Sequence, residues 1–339
     1  MKRNTEGNRL LIGLIGGVAL ILMTMITAIF LVSRRPIVII VPSGGASSNA
    51  NAPSLATGPS TGGPPATAAE VKPIPEIVVS KMASAPKLDD PLDPAWNRVA
   101  VVEVDLAPQQ VAQPVLEKGS VAKLRVQAVR DDRRYVWRLN WDKREVADKS
   151  DVAQFTDAAA MQFPLVDGAP YTMGGPGLPV RMLYWKATWQ KDVDKGFQGL
   201  AGIHPNSDSD LYWFAEGKET HESSGSVDNP KSKQWMIAVQ SGNPMVDFQR
   251  KHPIEELTAH GFGSGTHVAD TPSRGRGVWK DGQWYLVLDR PINKSDPLIG
   301  RFDSSPDKQM IAFAIWDGTE GNRGGRKQNT NWLPMRITP

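Results

Sequence analysis

Trp279-Lys280-Asp281-Gly282-Gln283-Trp284, continuing as YLVLDRP at 285–291, is the stretch on which the fold turns. An Asp-Gly pair between alternating runs is a hairpin signal, because the type I′ two-residue turn needs positive φ at both positions. Working outward, RVAVVEVDL (98–106), AKLRVQAV (122–129), RYVWRLNW (134–141), RMLYWKATW (181–189) and QMIAFAIWDG (309–318) are β-branched or aromatic, and several alternate. Helical periodicity is scarce, with short helices expected only near 151–161 and 253–260. The polar stretch 190–234, rich in Gly, Ser and Asp, reads as long excursions from the sheet. Many strands at short spacing predict a mainly β body, a sandwich or barrel with long loops.

Composition separates this body from what precedes it. The chain has 339 residues, 39 Lys and Arg, 36 Asp and Glu, and a formal charge of +3. Residues 1–35 hold Lys2, Arg3, Arg9, Arg34 and Arg35 against Glu6. Taking these from the 39 and 36 leaves 34 basic and 35 acidic groups for the rest. The body is therefore near neutral, and no nucleic-acid partner is expected. Residues 10–32, LLIGLIGGVALILMTMITAIFLV, are 23 residues without a charge. As a helix they span roughly 35 Å, enough for a bilayer core. The run is longer than a signal-peptide core and predicts one retained transmembrane anchor after a flank at 1–9. The flanking charges favour a cytoplasmic N-terminus and an extracytoplasmic body. Residues 43–69, PSGGASSNANAPSLATGPSTGGPPATA, lack charge and large aromatics. They read as a disordered Pro/Gly/Ser-rich linker, set at 43–74, before a folded domain at 75–339. All 11 Trp lie between Trp96 and Trp332, inside that domain.

The sequence excludes several chemistries. With 0 Cys, the chain offers no disulfides, thiolate zinc sites, iron–sulfur ligands or covalent haem attachment. It has no G-x-S-x-G, and its Gly-rich pieces lack the strand–turn–helix setting of a phosphate loop. The histidines (His204, His221, His252, His260, His267) form no H-x-x-x-H motif, and His260 with His267 reads as surface rather than metal-binding. No acidic pair stands out for acid–base work. On the residues alone the reading stops at an anchored extracytoplasmic β-domain for binding or assembly.

Several segments in one order carry more. Phe155-Thr156-Asp157-Ala158-Ala159-Ala160-Met161-Gln162-Phe163-Pro164 resembles a D-A-x-A-x-x-F-P segment, and Trp185-Lys186-Ala187-Thr188-Trp189-Gln190 a W-x-A-x-W-Q segment. Ser241-Gly242-Asn243-Pro244, residues 255–263 and residues 275–284 follow. Ile311 to Gly318, then Arg323-Gly324-Gly325-Arg326-Lys327 and Trp332, complete the series. Together, over about residues 90–336, they resemble the haem b-binding gamma subunits of ethylbenzene dehydrogenase and dimethyl sulfide dehydrogenase. Chlorate and selenate reductases and nitrite oxidoreductase have similar subunits.

That resemblance implies a two-sheet antiparallel β-sandwich holding one non-covalent haem b between a Met thioether and a Lys amine. By position, Met161 and Lys327 take those roles. Met173, in the Gly-rich loop, is the nearest rival to Met161, while Lys186 and Lys280 compete less well with Lys327, each beside a tryptophan. Arg323 and Arg326 are candidates to pair with haem propionates. A Lys ligand must be neutral, against an ordinary pKa of about 10.4, so burial is required. The implied role is non-catalytic electron transfer. The implied partners are a molybdenum-cofactor catalytic subunit, an iron–sulfur subunit and a c-type cytochrome. The anchor favours the nitrite-oxidising or nitrate-reducing branch. The alternatives are a haem module of another respiratory complex and a haem-free binding module.

Overall fold

The computed structural model describes residues 73–198, 202–206, 237–243, 246–269 and 271–339. The expected anchor at 10–32 and nearly all of the linker at 43–74 lie outside the described residues. Among the described residues no helix is long and apolar enough to cross a membrane. In chain order the elements are β1 (Ile77–Lys81), β2 (Val102–Asp105), β3 (Ala107–Pro108), β4 (Lys123–Arg130), β5 (Arg134–Asp142), β6 (Ala158–Pro164) and β7 (Val180–Lys186). Then follow α1 (Ala187–Lys195), α2 (Ile237–Gln240), β8 (Ile254–Ala259), β9 (Thr266–His267), β10 (Arg274–Lys280) and β11 (Gln283–Pro291). The last are α3 (Pro297–Ser304), β12 (Gln309–Trp316), β13 (Gln328–Asn329) and β14 (Leu333–Ile337).

The Asp-Gly hairpin forms as expected. Asp281 and Gly282 have φ of 51° and 78°, and Trp279 lies opposite Trp284 across the β10–β11 pair. From that hairpin the first sheet runs β10-β11-β5-β4-β1-β14, with β2 beside the first half of β4. The second sheet runs β9-β8-β7-β6-β12-β13-β3. β12 belongs to both, since Gln309–Ile311 pairs with β14 and Ala312–Trp316 pairs with β6.

Alternation then builds the core. Tyr135, Trp137, Leu139 and Trp141 of β5 share one apolar cluster with Trp284, Leu286 and Leu288 of β11. From the second sheet come Ala159, Met161, Phe163, Leu183, Trp185, Phe313 and Ile315. Rings meet across the sheets: Trp137 to Phe163 at 5.4 Å, Trp141 to Trp185 at 6.2 Å, and Trp185 to Trp284 at 4.9 Å. Each large side chain so buried contributes about 1.5–3 kcal/mol. This is consistent with the expected sandwich, except that it is not wholly antiparallel, since β1 runs parallel to both β4 and β14.

Some expected elements differ. The helices expected near 151–161 and 253–260 are replaced by β6 and β8. All seven β6 residues are buried, and β6 pairs along its length with β7 and in part with β12. Those pairings override the helix preference of three alanines. The strand expected over 181–189 ends at Lys186, where α1 begins. The run 98–106 shrinks to β2, after a 3-10 turn at Pro94–Arg98 that buries Trp96.

Candidate functional site

Period two decides what reaches the outer face of the second sheet. Met161 lies opposite Leu183 and Phe313, and all three point into the core. Their neighbours point the other way. Ala160 sits between Tyr184 and Ala314, and Gln162 between Met182 and Ala312. These outward residues floor a cavity of about 510 Å³. The alanines keep the floor low, and Tyr184 and Trp316 stand at its side with rings 5.3 Å apart. Residues 107–113 and 171–173 form further walls, as do Gly324, Gly325 and Lys327. The lining is mostly apolar with a few polar groups, as small-molecule and cofactor sites are.

Lys327 is positioned from several directions. Gln328, fully buried, accepts from the Ser120 and Val121 N–H groups at 3.0 Å and donates to the Ile315 carbonyl at 3.2 Å. The Lys327 carbonyl accepts from Gln109 N–H at 2.9 Å, and Gln109 Nε2 donates to the Gly325 carbonyl at 2.8 Å. Trp316 Nε1 donates to the Gly324 carbonyl at 3.0 Å, and the Lys327 amine lies 5.1 Å from the Trp316 ring centre. Among the described residues the amine has no hydrogen bond or ion pair. Although the residue as a whole is half-buried, the amine is largely removed from water. That desolvation pushes its pKa down to about 8.

Met173 also lines the cavity, from the turn Pro170–Gly175. Its φ is 68°, a left-handed conformation uncommon for a side chain of this kind. The turn is clamped. Met173 accepts from Gly261 N–H at 2.8 Å, and Gly174 donates to Pro170 at 3.0 Å. A Cβ on Gly174 would meet the Leu178 carbonyl oxygen at 2.5 Å, so that position requires glycine. Met182, on the floor, is the second thioether of the lining.

The structure therefore does not bring Met161 and Lys327 together. Met161 is fully buried on the core side of β6, whereas Lys327 faces the outer side of the same sheet. A one-residue step along a strand exchanges the faces; β6 begins with alanine on both, and only Gln162 against Met161 and Phe163 marks which face is which. Arg323 and Arg326 cap the turn before Lys327. Arg323 stacks on Phe155 at 4.2 Å and donates to the Gly321 carbonyl, and neither arginine lines the cavity. Lys186 lies over the Trp189 and Tyr184 rings at 4.8 and 5.4 Å, outside the lining. Lys280 is exposed at the β10–β11 turn. His267 Nδ1 meets Glu255 at 3.1 Å, and among the described residues no cluster of three metal-binding side chains occurs. Tyr184, Trp316, Met182 and the outward alanines were missed as lining. The alternation of small residues in AAAMQF and IAFAIW was their one visible signal.

Asp157 of the D-A-x-A segment is structural. Its carboxylate accepts from Ala147 and Gly318 N–H groups and the Trp284 indole, and pairs with buried Lys143 at 3.1 Å. Lys143 also pairs with Asp317, so the start of β6 is tied to the end of β12 beside the cavity floor. Breaking such a buried pair costs about 3–5 kcal/mol.

Comparison with known proteins follows the same residues. The family model described as ethylbenzene dehydrogenase matches residues 93–328. The respiratory nitrate reductase heme subunit ORF7 of Haloferax mediterranei is 26% identical over 271 residues, 79% of this chain and 75% of that one. The chlorate reductase subunit gamma of Ideonella dechloratans is 25% identical over 251 residues, 71% of this chain and 77% of its own. The dimethylsulfide dehydrogenase subunit gamma of Rhodovulum sulfidophilum is 29% identical over 119 residues, 32% of this chain and 44% of its own. Among solved structures, a family 9 carbohydrate binding module from Caldicellulosiruptor kristjanssonii covers 78% of this chain and 95% of its own, with TM-score 0.34 and 7% identity.

Proposed function

The chain belongs to the ethylbenzene dehydrogenase family, and on that premise we propose that it is a non-catalytic, haem-bearing electron-transfer subunit of a molybdoenzyme complex. The observation that carries the reading is the Lys327 amine. It is desolvated, unpaired among the described residues and held at an apolar recess, which favours the neutral form a metal ligand needs. With thioether and amine donors both in its apolar lining, the recess would suit a haem held by a Met and a Lys. We assign the thioether to Met173 in place of Met161, because Met173 shares the recess with Lys327 and the turn holding it is rigid. A single b-type haem bound there would supply a one-electron iron couple. The chain's own part would be to enclose the group in the apolar lining, screen it from water and supply both ligands. Arg326, half-buried beside Gly325, is proposed for a propionate, and Arg323 less so, since Phe155 already engages it.

The proposed partners are a molybdenum-cofactor catalytic subunit and an iron–sulfur subunit on one side, and a c-type cytochrome on the other. Of the three relatives above, the nitrate reductase heme subunit matches most of this chain, which favours a nitrate reductase or nitrite oxidoreductase assembly. Residues 10–32 are proposed to anchor the chain, with the N-terminus cytoplasmic and the body extracytoplasmic. The test is spectroscopic. Protein expressed with ample haem should give a low-spin b-type spectrum by pyridine haemochrome and optical absorption. Met173→Ala and Lys327→Ala should each change it, while the volume-conserving Met161→Leu and Met182→Leu should not. A changed spectrum in Met161→Leu with none in Met173→Ala would reverse the assignment. Colourless protein would favour a haem-free binding module.

A further inference from the structure

A second cavity, of about 600 Å³, opens at the edge of the sandwich and shares no lining residue with the recess around Lys327. It lies between the start of β10, the start of β5, the segment before β8 and the loop after β1. Its walls carry Lys87, Arg134, Lys251, Arg274 and Arg276 against Asp89. This concentration of positive charge is unusual for this body, whose basic and acidic groups nearly cancel. Packing forces it together. A Cβ on Gly275 would lie 2.6 Å from Ile254 and 2.9 Å from Leu288, so β10 approaches closely enough to set Arg274 and Arg276 beside residues 251–253.

Two of the cations are pre-organised. Arg134 Nη1 and Arg274 Nη2 reach the same oxygen of Asp289, at 3.2 and 3.0 Å, and Asp289 is fully buried. Two guanidinium charges thus share one carboxylate, and the Arg134 Nε is buried without a hydrogen-bond partner. Arg276 is paired with Asp194, but neither Lys87 nor Lys251 forms a salt bridge among the described residues, and both are exposed. His252, in the same wall, is held below the ordinary histidine pKa by partial burial and then by the Arg274 and Lys251 charges, with Asp289 opposing them.

We propose that this cleft binds a small multivalent oxyanion of the phosphate or polycarboxylate class, on Arg134 and Arg274 with Lys87 and Lys251 at its edge. Guanidinium pairs fixed by a buried acid present free N–H donors at little ordering cost, which favours planar or tetrahedral oxyanions. The test is isothermal titration of the full chain with pyrophosphate and, separately, citrate in low-salt buffer. We expect one site with Kd of about 0.1 mM or tighter for at least one of the two. Lys87→Glu with Lys251→Glu should weaken it at least about tenfold, a loss of roughly 1.4 kcal/mol. Both lysines are exposed and form no salt bridge among the described residues, so circular dichroism should show the fold intact. Lys280→Glu with Lys308→Glu makes the same charge change elsewhere and should leave Kd within about twofold. No saturable binding of either anion, or equal weakening in both double variants, would overturn the proposal. The haem spectrum plays no part in these readouts, so their failure is separate from failure of the cofactor assignment.

Discussion

Lys327 works against the stability of its own fold. A charged amine held in an apolar recess, with no counter-ion among the described residues, costs free energy, and its pKa near 8 is the mark of that cost. The folded value lies below the unfolded one. Stability is therefore highest above the unfolded value near pH 10.5 and falls until the pH has dropped through about 8. At pH 7 the full penalty is present. Replacing Lys327 by Met keeps the length and removes the charge. Haem-free Lys327→Met should be more stable at pH 7, by up to about 3 kcal/mol and by less insofar as water reaches the amine. Urea midpoints of the two proteins at pH 7 and pH 10 check this, with the gap shrinking at the higher pH. A lysine kept only for packing would show no gain. In sequence, Lys327 reads as one more cation in a basic loop. The family pattern singled it out, whereas that Met173 lines the same cavity and Met161 does not was visible only in the structure.

At the scale of the element, strands rich in aromatic and β-branched residues were legible and those rich in alanine or glutamate were not. β5 and β11 carry Tyr135, Trp137, Leu139 and Trp141, and Trp284, Leu286 and Leu288, on one face, so their boundaries could be read nearly to the residue although both faces are largely buried. β6 offers alanine on both faces and β8 begins Ile-Glu-Glu, so local preference suggested helix in each. β8 makes sense only with its partners. Glu256 is fully buried and pairs with Arg290, which is fully buried too, and with Arg181 at 3.0 Å, while Ser273 donates to it. Arg290 also pairs with Asp296, the residue that caps α3, so one network joins β7, β8, β11 and α3. Burial raises the Glu256 pKa, but the bonds from Arg290, Ser273 and Arg181 outweigh it and hold the carboxyl below its ordinary value. A depressed folded value gives stability that is complete above the unfolded value and lost as pH falls through the folded one. Glu256→Gln should therefore lose about 3–5 kcal/mol at pH 7 and show a flatter decline in urea midpoint between pH 5 and pH 3 than the parent. Parallel slopes for the two proteins would place the acid sensitivity elsewhere.

For the whole molecule the governing fact is the uneven distribution of charge. Every charged residue before Glu70 lies within the first 35, as five cations and Glu6, and the compact unit runs Glu70–Pro339. That unit contains the recess around Lys327, the buried ion networks and all 11 tryptophans. The residues proposed to hold the cofactor all lie in that unit, so the proposed attachment and electron transfer can be tested separately. A chain beginning at Glu70 should fold with an unchanged haem spectrum and the same urea midpoint as the parent. It should also lose the excess positive charge, since 34 basic groups then face 35 acidic ones, and become less basic on isoelectric focusing. If 10–32 is the anchor, the truncated protein should leave the membrane pellet for the supernatant after ultracentrifugation, without detergent. Continued sedimentation with membranes would assign attachment to the body or its partners. The apolar rim of the recess, where Phe262 is 56% exposed and Val111 57%, would then be the first surface to examine.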